Sequence, residues 1–121
     1  MRTFASVLLA LAVAASAQAA TTPAQKAAVA ALVAHEKASG NSDVENPSCY
    51  VIQTYAQCDY GTGHGVAEVT AWLHQKNGKW MFLGSGGGVT YASMMEKQYG
   101  IPAPIAKQFQ AKLCPAPCPG S

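Results

Sequence analysis

The dipeptide Asn77-Gly78 constrains this chain more than any other feature. It stands between two apolar runs, and Asn-Gly is the strongest short signal for a two-residue β-hairpin, because both turn positions need positive φ. With that pair at the tip, the cross-strand neighbours are set. Lys76 faces Lys79, Gln75 faces Trp80, His74 faces Met81, Leu73 faces Phe82 and Trp72 faces Leu83. Side chains alternate between the two faces of a strand. One face therefore holds Val69, Ala71, Leu73, Trp80 and Phe82, and the other Thr70, Trp72, His74, Met81 and Leu83. Both are apolar near the turn. A sheet covered on one side only should show polar residues on the other. Either the sheet curls around a core, or its second face binds something. The second expectation makes Trp72, His74, Met81 and Leu83 contact residues, with His64 and Ser85 in the glycine-rich segments beside them.

The N-terminus reads as a leader. Met1-Arg2-Thr3 carries one positive charge, an apolar run spans Phe4 to Ala15, and Ala17-Gln18-Ala19 is an A-x-A cleavage site. Together these make a secretory signal peptide over residues 1–19. The run is too short to span a bilayer comfortably. Removing it leaves about 102 of the 121 residues, one domain's worth of chain. The expected product is exported, periplasmic or secreted, with no membrane anchor. Half the residues are hydrophobic and 12% are charged, and the formal charge is +2, a balance that excludes a disordered chain and a basic nucleic-acid binder.

Export changes how the cysteines read. Cys49, Cys58, Cys114 and Cys118 form an even set, which in an oxidising compartment implies disulfides. Their C-x8-C and C-x3-C spacings match no zinc motif. A straight strand from Cys49 to Cys58 would hold them roughly 30 Å apart, whereas a disulfide needs Cα atoms within about 7 Å. A bend between them, with Cys49–Cys58 and Cys114–Cys118 bridges, is the favoured arrangement.

Thr22-Pro23-Ala24-Gln25 opens a helix with a capping box, proline at the first helical position and an apolar stripe of Ala28, Val29, Leu32 and Val33. Gly40 ends it, and Asn41 to Pro47 reads as a polar loop. Tyr50, Ile52, Ala56, Cys58 and Tyr60 alternate as a strand region with one buried face. Gly61 to Gly65 is a turn, strands follow on each side of Asn77-Gly78, and Gly84 to Gly88 ends the second. Residues 90–98 form a helix stopped at Gly100, and Pro102 and Pro104 open a last one carrying Ile105, Phe109 and Leu113. The expected fold is α+β: an N-terminal helix, a three- or four-stranded antiparallel meander, and two short C-terminal helices packed on one sheet face. Residues 20–113 make the domain and 114–121 a Pro/Cys-rich tail.

Chemistry is thinly signalled. The Gly84–Gly88 stretch lacks the P-loop lysine and the dinucleotide spacing. Ser85 sits in no nucleophile elbow, because position 83 is leucine. His35-Glu36 is not a zinc-protease motif, because Ser39 stands where the second histidine belongs. No cofactor or metal is implied. If the chain were an enzyme, a His–carboxylate pair drawn from His64, His74, Asp59 and Glu68 would be its minimal acid–base equipment.

The segments Thr54-Tyr55-Ala56, Gly65-Val66-Ala67 and Lys76 to Gly88, followed by Tyr99-Gly100-Ile101-Pro102, resemble small exported bacterial proteins of unassigned function. Those share a Tyr-Ala strand, an NGKW-type hairpin and a Ser-Gly-Gly-Gly turn; NGKW also recurs in cystatin-like and NTF2-like sheets. The resemblance covers residues 50–105 and implies architecture, with no activity attached. Three functional classes follow. The first is a non-catalytic, disulfide-stabilised module that binds, and in one form inhibits, an extracytoplasmic protein. The second is a carrier of a small apolar ligand between sheet and helices. The third is a small hydrolase-like enzyme.

Overall fold

The computed structural model describes residues 21–62, 68–87 and 90–114. The leader, the 63–67 segment with His64, Gly88 and the tail with Cys118 lie outside the described residues. Helix α1 spans Pro23–Ala38, and strands β1 (Val44–Ile52), β2 (Tyr55–Thr62), β3 (Glu68–Lys76) and β4 (Lys79–Gly87) follow. Helices α2 (Ala92–Tyr99) and α3 (Ala103–Leu113) complete the order. The strands form one antiparallel sheet in the order β1-β2-β3-β4, which is the four-stranded form of the expected α+β meander.

Local chemistry sets the helix ends. The Gln25 amide donates to Thr22 Oγ1 at 3.1 Å, and the Thr22 amide donates to Gln25 Oε1 at 2.8 Å, completing the capping box. Gln25 Nε2 also donates to the Cys49 carbonyl at 3.2 Å, so the same residue ties the helix start to β1. Gly100 ends α2 in the left-handed conformation, φ +69°. Nothing in its own sequence caps the start of α2; instead Gln110 Oε1 on α3 accepts from the Ala92 amide at 2.6 Å. Of the expected α1 stripe, Ala28 and Leu32 are buried, whereas Val33 is among the exposed apolar residues.

One turn and one bulge re-phase the first two strands. Gln53-Thr54 is a two-residue hairpin joining Ile52 to Tyr55, with Gln53 at φ +54°. It is the bend the cysteines require, and Cys49 and Cys58 face each other directly and are bonded, Cα–Cα 4.0 Å. The turn also breaks the expected single alternation. Tyr50 and Ile52 lie on the face opposite to Ala56, Cys58 and Tyr60. Upstream, β1 already begins at Val44, inside the stretch expected to be a loop, and a bulge accommodates Asn46 and Pro47. Cys114 is also disulfide-bonded, and its expected partner Cys118 lies outside the described residues.

The Asn77-Gly78 register runs as expected from Lys76↔Lys79 to Leu73↔Phe82, then slips. Leu83 is an extra residue, and Trp72 faces Gly84 rather than Leu83. Tyr99 of α2 lies against the slipped position: a Cβ on Gly84 would run into its ring, with Cζ at 3.0 Å. Gly84→Ala is therefore expected to cost about 1–3 kcal/mol by displacing Tyr99, measured as a lowered denaturant midpoint at unchanged slope. The strand then continues through Gly87, so Gly84–Gly87 is β-strand and not the turn expected there.

Both sheet faces are covered. On the first, α1 packs over Cys49, Ala56, Cys58, Tyr60, Ala71 and Leu73. On the second, α2 and α3 pack Met95, Ile105 and Phe109 over Trp72. The apolar second face is thus core, closed by the two C-terminal helices rather than by curling of the sheet.

Candidate functional site

Trp72 is 0% exposed, which corrects its expected role as a surface contact. Its indole N–H donates to Gln57 Oε1 at 3.0 Å, and Gln57 Nε2 donates to the Phe109 carbonyl at 3.5 Å. The ring stacks against Tyr99, centroids 5.1 Å apart. This buried polar relay links β2, β3 and α3. Leu83 is half-buried against the same helices.

Among the described residues, what stays open on this face is its hairpin end. The register aligns Ile52 with Tyr55, Tyr55 with His74, and His74 with Met81, one residue from each strand. The Tyr55 and His74 rings stack at 4.2 Å with planes 6° apart. Ile52, Tyr55 and His74 are half-buried, and Met81 is 52% exposed. Neighbouring strands lie about 4.8 Å apart, so the row is roughly 14 Å wide. It joins two residues expected from the hairpin, His74 and Met81, to two that become visible only once the Gln53-Thr54 turn is known.

Ser85 does not belong to this row. The bulge sets it opposite Ala71, on the α1 face, and corrects its grouping with Trp72 and Met81. There it interacts with Tyr60, which also meets Glu36; Asn41 Nδ2 donates to Glu36 Oε1 at 2.8 Å. Burial pushes the Tyr60 hydroxyl above its ordinary range. The charge of Glu36 and a hydrogen bond to it add to that rise, and a hydrogen bond from Ser85 opposes it. This cluster clamps the end of α1 onto β2 and β4.

Of the fallback catalytic set, His74 is not brought to either carboxylate. Asp59 Oδ1 accepts from Thr70 Oγ1 at 2.9 Å, and Glu68 sits opposite Gly61. His74 is four positions along β3 from Thr70, roughly 13 Å at strand rise, and Glu68 is farther still. His64 lies outside the described residues. Among the described residues no group of three His, Cys, Asp or Glu side chains is placed to hold a metal.

The interior where a carrier's ligand would sit, between sheet and C-terminal helices, is filled by Trp72, Met95, Ala106 and Phe109, each 0% exposed. A cleft of about 360 Å³ opens between α2 and α3, lined by Ala92, Ser93, Glu96, Lys107 and Gln110. No helix among the described residues is long and apolar enough to cross a membrane. No family model matches the chain, and no curated protein or solved structure is significantly similar to it. The fold and site define a disulfide-stabilised α+β domain with one sheet between helical layers and an aromatic row at one end of that sheet.

Proposed function

We propose that this chain is an exported, non-catalytic binding module that recognises an extracytoplasmic protein through Ile52, Tyr55, His74 and Met81. The observation that carries the reading is the row itself: four adjacent, partly exposed side chains spanning every strand of the sheet. Aromatic residues and methionine are enriched in protein interfaces. A flat row about 14 Å wide matches a protein surface better than a small ligand, which needs a concave pocket. The strands hold the row rigid, so little ordering entropy opposes association. Export rests on the Met1–Ala19 leader pattern and fits the cross-strand disulfide.

Capture from the producing cell's periplasmic or secreted fraction tests the proposal, with the immobilised oxidised protein set beside its Tyr55→Ala and His74→Ala variants. Tyr55→Ala is expected to reduce recovery of the partner about tenfold or more, the loss typical of an aromatic hot spot. Equal recovery by a Tyr55→Ala protein with an unchanged circular dichroism spectrum refutes it.

A further inference from the structure

The two edges of the sheet are unlike. β1 is guarded by Pro47, a bulge and Glu45, devices that discourage strand addition. β4 carries no proline, and Lys79, at its first position, is its one charge. It places Trp80-Met81-Phe82-Leu83 in succession, all at least partly exposed, followed by Gly84-Ser85-Gly86-Gly87. Its first half is bulky and its second half has almost no side chains.

From this pattern we infer that the edge of β4, unpaired among the described residues, pairs antiparallel with β4 of a second copy of this chain, making one continuous eight-stranded sheet about a two-fold axis. The occupant follows from self-complementarity. Because of the bulge, Trp80, Phe82, Ser85 and Gly87 share the α1 face, and Met81, Leu83, Gly84 and Gly86 share the other. Directly opposed residues must lie on the same face. The register that satisfies this along the whole strand is centred on the Leu83–Gly84 peptide. It sets Trp80 opposite Gly87 of the second copy, Met81 opposite Gly86, Phe82 opposite Ser85, and Leu83 opposite Gly84. Each large apolar side chain then covers a position with little or no side chain, the pairing by which aromatic residues rescue strand glycines.

Charge permits the same register. Lys79 lies beyond the last matched pair, so the two lysines sit at opposite ends and never meet. Helix packing permits it as well. His35 of α1 stacks on Phe82 at 3.7 Å. In this register the two Phe82 residues are three positions apart, roughly 10 Å along the strand, which matches the spacing of packed helices. The edge shares Met81 with the proposed partner row, whereas Tyr55 and His74 lie inward of it and Gly86 lies outside the row.

Sedimentation of the oxidised protein over about 1 µM to 1 mM tests it, a span that covers weak and moderate dimers. A concentration-dependent monomer–dimer equilibrium is expected. Gly86→Glu, at a site where an added Cβ meets nothing within 4 Å, should raise the dissociation constant about tenfold. Met81→Lys should do the same, and the Met81→Lys/Gly86→Glu double variant should recover most of the loss, because this register alone sets position 81 against position 86. A monomer at every concentration overturns the inference. So does a dimer that Gly86→Glu leaves unchanged, or a double variant no tighter than the singles. Partner capture that survives Gly86→Glu while the dimer is lost supports the dimer and distinguishes the two surfaces.

Discussion

Trp72→Ala is expected to destabilise the fold by about 3–5 kcal/mol, the range for removing a large aromatic from a packed core. The side chain is wholly buried and joins β2, α2 and α3 through Gln57, Tyr99 and the Phe109 carbonyl. Truncation opens a cavity and also strands Gln57 Oε1 without its donor, which adds an unsatisfied buried acceptor to the lost contacts. Domains of this size have only about 5–15 kcal/mol in total, so much of the stability rests on this residue. Trp72→Phe keeps most of the ring and loses the N–H bond, and should cost roughly 1–3 kcal/mol. Urea unfolding with the disulfides intact measures both. A Trp72→Ala loss below about 1 kcal/mol would mean that the side chain is solvent-exposed, as in the surface role the sequence alone suggested.

The second large effect concerns Cys49–Cys58. Replacing both cysteines by alanine is expected to cost about 2–3 kcal/mol, the loop-closure value for a ring of this size. The loss should be local in character. β1 is an edge strand, held to β2 by the ladder and the bridge and to α1 by the Gln25–Cys49 hydrogen bond. Amide hydrogen exchange in the double variant should therefore rise most along β1 and at the start of α1, with β3 least affected. Unchanged stability, or exchange that rises uniformly, would contradict the view that this bridge fastens the edge.

The features legible in the sequence are those whose chemistry is contained in a few residues. The Thr22–Gln25 capping box, the Asn77-Gly78 turn and the Gly100 helix stop each carry their own geometric requirement. The Cys49–Cys58 bridge is the favoured pairing on chain geometry, because a straight strand would carry the two cysteines beyond the span of the short Cys114–Cys118 segment. The features that escaped are imposed from a distance. The bulge at Leu83 sits where Tyr99 lies over Gly84, residues fifteen positions apart. It carries Ser85 to the other face. The hairpin at Gln53-Thr54 lacks the glycine or asparagine that marks such turns, so Tyr55 was not placed beside His74. The apolar second face is unusual on the strand sequences alone. Its cover, α2 and α3, lies beyond the strands themselves, so no residue within the hairpin could separate a buried face from a binding one.

The proposal that the row is the binding surface is tested most directly by nuclear magnetic resonance of the isotope-labelled protein titrated with the captured, purified partner. The expected result is a set of amide and methyl shifts centred on Ile52, Tyr55, His74 and Met81, with the Glu36–Tyr60–Ser85 end of the sheet unperturbed. Shifts confined to that opposite end, or an unperturbed row in a saturated complex, would contradict it.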